Sequence, residues 1–125
     1  MPVVRRSEAP IFGLEGFHFT GLTAPSRGAQ EICTWQLEVK PHAHSEPHQL
    51  DHEDVFVLLD GSITIVVADE NVELHAGDAL SVPAYTQLQL TNSGEQGAHA
   101  IVCIPAGTRA TMANGQEIGT PPWAL

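Results

Sequence analysis

Four histidines, His42, His44, His48 and His52, fall within eleven residues, and the acidic pair Glu53-Asp54 follows directly. Imidazoles and carboxylates at this density can ligate a divalent transition metal, or exchange protons as general acid and base. On an extended chain His42 and His44 would share one face, because side chains alternate. Pro41 and Pro47 flank that segment, which argues for loop over strand. Solvated loop histidines are therefore the plain alternative to ligands. His18, His75 and His99 stand alone in sequence and read as partly exposed side chains. There is no Gly-rich phosphate loop and no G-x-S-x-G nucleophile elbow, and Ser45, Ser62 and Ser81 lack any context that would mark a nucleophile.

The elements that must position these groups read as strands. Residues 32–39 alternate, with Cys33, Trp35, Leu37 and Val39 on one face and Thr34, Gln36 and Glu38 on the other, which is the period of a half-buried strand. Residues 54–59 form an apolar run closed by Asp60-Gly61, and the β-branched run 62–68 makes the pair a hairpin. A turn is expected at Asp69-Glu70-Asn71, then a short strand through Leu74, a turn at Gly77-Asp78, and strands over 79–82, 87–91 and 98–104. Pro83 and Pro105 stop two of these. Residues 1–31 read as an irregular arm with one or two short edge strands, and residues 106–125 as an irregular tail. Eleven glycines and nine prolines fall between short apolar runs, and no segment of a dozen residues carries a helical apolar period. Strands at this spacing imply a sandwich or barrel.

The bulk numbers narrow the classes. A chain of 125 residues, 42% apolar, suits one domain with one core. Fifteen acidic residues face five basic ones, Arg5, Arg6, Arg27, Lys40 and Arg109, for a formal charge of -10. Such a surface repels phosphate backbones and anionic lipid, so neither nucleic acid nor membrane is an expected partner. The start of the chain, MPVVRRSEAP, has no apolar run after its arginines, and Cys33 and Cys103 lie inside apolar strands. These read as reduced core residues of a cytoplasmic protein.

Residues 32–105 carry a resemblance to the cupin family. The family's first motif runs glycine, five residues, His-X-His, three or four residues, glutamate, six residues, glycine. Here the same spacing gives His42, His48-Gln49-Leu50, Asp54 and Gly61. The second motif, glycine, five residues, Pro-X-Gly, two residues, histidine, three residues, asparagine, is matched in spacing by Gly77, Pro83-Ala84-Tyr85, Leu88 and Asn92. The resemblance implies a single antiparallel double-stranded β-helix, the jelly-roll or cupin barrel. In metal-binding cupins the two histidines and the carboxylate of the first motif, with the histidine of the second, hold one ion. Those slots are here His48, Leu50, Asp54 and Leu88. Leucine has no lone pair, so one imidazole and one carboxylate remain, short of the three ligands of zinc or of a non-haem iron triad. No cofactor is expected on this basis. A divalent transition metal is the runner-up, held by His48 and Asp54 with His42, His44 or His52. The family glycines have become His42 and Tyr85, so the local turns are expected to differ.

The first functional reading is a metal-independent cupin that binds a small, largely apolar molecule and carries out proton transfer of the isomerase, epimerase or cyclase kind. His48 would be the acid or base and Asp54 its orienting partner, in a pocket lined by Trp35, Leu50, Phe56, Leu58, Tyr85, Leu88 and Leu90. A non-catalytic binding or sensory module, and a metal-dependent dioxygenase-like cupin using the histidine cluster, stay open beside it. Exposed sheet edges and the apolar ends, around Phe12 to Phe19 and Trp123, suggest a homodimer, with one end lying across the partner or over the barrel mouth.

Overall fold

The alternation read over residues 32–39 is realised as a strand whose buried side chains are Cys33, Trp35, Leu37 and Val39. The structure is a computed structural model that describes residues 1–125. In chain order its strands are β1 (Ile11–Leu14), β2 (Phe17–Gly21), β3 (Ile32–Val39), β4 (His48–Leu50), β5 (Asp54–Asp60) and β6 (Ser62–Val67). They continue as β7 (Glu70–His75), β8 (Ala79–Val82), β9 (Leu88–Thr91), β10 (Ala98–Pro105), β11 (Ala110–Met112) and β12 (Glu117–Gly119). The chain has no α-helix, and therefore no helix long and apolar enough to cross a membrane.

All strand pairings are antiparallel, in two six-stranded sheets. One runs β1-β2-β3-β10-β5-β8 and the other β12-β11-β4-β9-β6-β7. Their inner faces enclose a core of 22 buried residues that includes Trp35, Leu50, Phe56, Leu58, Leu88 and Leu90. This is the two-sheet architecture the alternation required, since each strand has one apolar face to bury.

Two ends of the chain are more ordered than their patterning suggests. Within the arm, β1 and β2 form a hairpin, and β2 pairs with β3 from Phe17 opposite Val39 to Gly21 opposite Trp35, so the first sheet begins well before residue 32. The tail, expected to be irregular, contributes β11, paired with both β4 and β12. Three-residue strands are too short to display a period, which is why the sequence reads as irregular there. The turn expected at Asp69-Glu70-Asn71 is tighter: β7 already begins at Glu70, and Ala68 takes a left-handed φ of 53°.

Both residues that stand at the family's glycine positions take a backbone conformation that glycine favours. His42 has φ 65° and Tyr85 φ 60°, both in the left-handed region that L-residues enter at a cost. Strand pairing on either side holds the backbone there, and the side chain bears the strain. Gly61, between β5 and β6, shows why glycine persists there. Its φ is 82°, and a Cβ would meet the Gly97 carbonyl oxygen at 2.8 Å. Asn92, buried at the other motif's end, donates from Nδ2 to the carbonyls of Val39 (3.2 Å) and Gln96 (2.9 Å) and accepts from the Gly94 amide (3.0 Å). It ties the 92–97 turn to β3.

Cys33 is buried and Cys103 half-buried, and both are free thiols. Ile104 is the register partner of Cys33 and Cys103 that of Thr34, so the two cysteines project to opposite faces of their sheet.

Candidate functional site

β5 presents Asp54, Phe56 and Leu58 to the interior in strict alternation, with Asp54 opposite Val82 of β8. A carboxyl therefore occupies a core position, only 3% exposed, and its Oδ1 has no hydrogen-bond partner. Loss of hydration penalises the charged form, and burial pushes the Asp54 carboxyl up to about 7. Nothing nearby offsets this. A carboxyl that titrates near neutrality holds or releases a proton with equal ease in the physiological range.

His48 opens β4, with Leu88 of β9 on one side and Met112 of β11 on the other. Burial lowers its pKa, opposed by the hydrogen bond at 3.0 Å between Nδ1 and the Glu46 carbonyl oxygen. With that oxygen able only to accept, Nδ1 carries the hydrogen of the neutral ring. No hydrogen bond or ion pair joins His48 to Asp54, so the orienting contact expected between them is absent: His48 is oriented by main chain, and Asp54 by nothing.

The remaining residues fall into two groups. Trp35, Leu50, Phe56, Leu58, Leu88 and Leu90 are all buried in the core between the sheets. Tyr85 is not. It is 70% exposed, because the left-handed backbone after Pro83-Ala84 turns it outward, where it borders a surface depression of about 190 Å³ with Asp51, Arg109, Ala110, Thr111 and Glu117. His42, His44 and His52 are also exposed. His42 faces Glu95 at 3.3 Å, and His52 shares a hydrogen bond with Asp51 at 2.8 Å.

The slots that hold a metal in relatives do not fit one here. Leu50 and Leu88 are buried hydrocarbon at two of the four positions, and no three His, Cys, Asp or Glu side chains are grouped so as to hold an ion.

Trp123, in the apolar C-terminal tail, packs against the core of its own chain. Its ring stacks on Phe19, with centroids 3.7 Å apart and planes at 6°, and meets Trp35 edge-on at 6.1 Å. Arg27 clamps this segment, donating to the carbonyls of Trp123 (3.0 Å) and Leu22 (2.6 Å). The isolated histidines also acquire partners. His18, Glu38, His99 and Asp60 lie in one cross-strand row over β2, β3, β10 and β5, with N···O distances of 3.2–3.3 Å. Only register brings these four together, and no local motif announces it.

Comparison with known proteins agrees with this architecture. Among solved structures, the polyketide cyclase RemF from Streptomyces resistomycificus superposes with a TM-score of 0.76 at 19% identity, covering 98% of this chain and 88% of that one. KdgF from Halomonas sp. gives 0.73 at 16% identity, over 84% and 93% of the two chains. A predicted oxalate decarboxylase from Thermotoga maritima gives 0.71 at 17% identity, over 83% and 98%. No curated protein sequence matches. Residues 35–105 match the family model described as the cupin domain, more than half of the chain. With both motifs in order on β-strands and two antiparallel sheets around one core, the chain belongs to the cupin family.

Proposed function

We propose that this cupin binds a small, uncharged, largely apolar molecule between its sheets and moves a proton on it without a metal, with Asp54 as the acid–base group. The observation that carries this reading is a buried, unpaired carboxyl titrating at about 7 inside a wall of apolar side chains. Structural carboxylates are normally hydrogen-bonded or ion-paired, and one kept free and near neutrality has the properties a general base or acid needs. As carboxylate, Asp54 takes a proton from carbon or oxygen. As carboxylic acid, it returns that proton to another atom of the same molecule, which is net isomerisation, epimerisation or ring closure. Cyclisation is the activity in RemF's description, and that likeness adds only that such a barrel can host it. His48, neutral and tied to Glu46, serves here as a fixed polar group beside Leu88.

A non-catalytic binding module is the second reading, favoured by the missing His48–Asp54 contact. One experiment separates the two. A thermal-shift screen of neutral metabolites identifies a binder, since a ligand of the native state raises apparent stability. Turnover of that binder is then followed by NMR. Asp54→Asn should lower turnover by at least ~10²-fold with affinity within a few-fold. Equal turnover in the variant, or one iron, zinc or manganese per chain by elemental analysis, would overturn the proposal.

A further inference from the structure

The surface depression beside Tyr85 has a volume of about 190 Å³ and lies where the end of β4, the turn after Pro83 and the β11–β12 pair meet. Its lining brings one guanidinium (Arg109), two carboxylates (Asp51 and Glu117), a phenol ring (Tyr85) and a hydroxyl (Thr111) to one place.

The Arg109 guanidinium has no task within the fold. Every ion pair in this protein involves a histidine, so Arg109 has no carboxylate partner although Asp51 and Glu117 border the same depression. Arg27, by contrast, donates to two main-chain carbonyls. Gly119 pairs with Ala110, and a Cβ on it would lie 3.7 Å from Nη2, 3.9 Å from Cζ and 4.0 Å from Nη1 of Arg109. Three such similar distances set the guanidinium flat over Gly119, with the N–H groups of its plane left for a ligand. A free guanidinium binds a carboxylate through two parallel hydrogen bonds.

The backbone under these groups is fixed. The Arg109 amide donates to Asp51 Oδ1 at 2.8 Å, and the Asp51 amide donates to the Arg109 carbonyl at 3.0 Å. His52 Nδ1 meets the same Oδ1 at 2.8 Å, which leaves Asp51 Oδ2 without a partner. Partial burial by itself raises the Asp51 pKa, but the Arg109 amide and His52 outweigh it and hold the carboxyl below its ordinary value, so it is charged. The Tyr85 amide is anchored to the Leu50 carbonyl at 2.7 Å. Its ring is 70% exposed on a left-handed backbone, and no contact within the chain offsets that strain. Strained residues of this kind concentrate where a ligand is held.

Charge narrows the ligand. The depression carries two negative groups and one positive, on a molecule of formal charge -10. That field repels a simple anion, and a simple cation leaves Arg109 unmatched. A molecule with one carboxylate and one ammonium answers both signs. The volume suits a head group and a few more atoms, below the roughly 300 Å³ of a drug-sized pocket, so a larger side chain would extend along the Tyr85 ring.

We propose that this depression is a binding site for a small α-amino acid with a planar side chain. Arg109 takes the carboxylate, Glu117 and the free oxygen of Asp51 take the ammonium, and the Tyr85 ring carries the side chain. The site is separate from Asp54 and does not depend on the proton-transfer reading.

The test uses the full chain and three molecules of one skeleton: L-phenylalanine, 3-phenylpropanoate, which lacks the ammonium, and 2-phenylethylamine, which lacks the carboxylate. Tyr85 is the only tyrosine, so ring-labelled tyrosine gives one unambiguous set of NMR signals. L-Phenylalanine should shift them saturably with a Kd of about 1 mM or tighter, and each of the other two should bind at least tenfold more weakly. Arg109→Gln and Tyr85→Gly should each weaken L-phenylalanine binding at least tenfold by calorimetry. Arg109 is exposed and Tyr85→Gly relieves strain, so neither loss can come from unfolding, and thermal denaturation of both variants checks this. Either single-charge analogue binding as tightly as L-phenylalanine would overturn the assignment of an amino acid. No binding of L-phenylalanine at about 10 mM, binding without a Tyr85 shift, or unchanged affinity in Arg109→Gln would each overturn the site.

Discussion

Asp54 and His48 are two titratable groups desolvated by the same core, and burial moves them in opposite directions because it always disfavours the charged form. The consequences for stability also oppose. Folded Asp54 keeps its proton up to about 7, whereas in the unfolded chain it releases it near the ordinary value of 3.8. Between those pH values the folded state binds more protons, so this contribution is fully present below 3.8 and is lost as pH rises through 7. The amount is on the order of a few kcal/mol. Urea denaturation of Asp54→Asn should lack that decline and show the variant more stable than wild type at pH 8. A parallel pH dependence in the two proteins would contradict the buried-carboxyl assignment. For His48 the folded pKa lies below 6.5, so the unfolded chain binds more protons in that window, and the contribution is lost as pH falls through it. His48→Gln should remove the acid-side loss alone.

At the scale of elements, the turns decide more than the strands do. His42 and Tyr85 hold left-handed φ values of 65° and 60° where the motif spacing leads one to expect glycine. Neither has a compensating contact of weight: His42 meets only an exposed Glu95, and Tyr85 is largely in solvent. Relief of strain outweighs the extra chain entropy of glycine, so His42→Gly and Tyr85→Gly should each raise stability by about 1 kcal/mol in urea denaturation. Destabilisation by either change would mean that the side chain holds its turn. Gly61→Ala is the control with the opposite sign, since its Cβ would run into the Gly97 carbonyl. The His18–Glu38–His99–Asp60 row belongs to this scale as well. Its members are exposed to partly buried, so its ion pairs add little stability despite their regular spacing.

For the whole molecule, the tail's apolar character is accounted for within the chain, where Trp123 packs on Phe19 and Trp35. The arm is different. β1 is an edge strand, paired only with β2, and its Ile11 and Leu14 are exposed. Apolar edges of this kind are normally covered, so we expect a homodimer that pairs along β1. Sedimentation at micromolar concentration should give a dimer, and Ile11→Lys with Leu14→Lys should give a folded monomer. A monomeric wild type would end this expectation.

The sequence by itself determined which residues face inward and where the chain turns. Period-two alternation in β3 is local, and so is the demand of Gly61 for a left-handed backbone, so both are written in neighbouring residues. The motif spacing also placed a carboxyl at Asp54 and leucines at positions 50 and 88 of the interior. Tertiary structure decided what those groups do there. That Asp54 has no partner, that His48 faces the Glu46 carbonyl instead, that Tyr85 turns outward, and that Trp123 backs Trp35 all depend on contacts between strands distant in sequence. Hydration and hydrogen bonding set a pKa through the whole surrounding shell, and that shell exists only once both sheets have closed on each other.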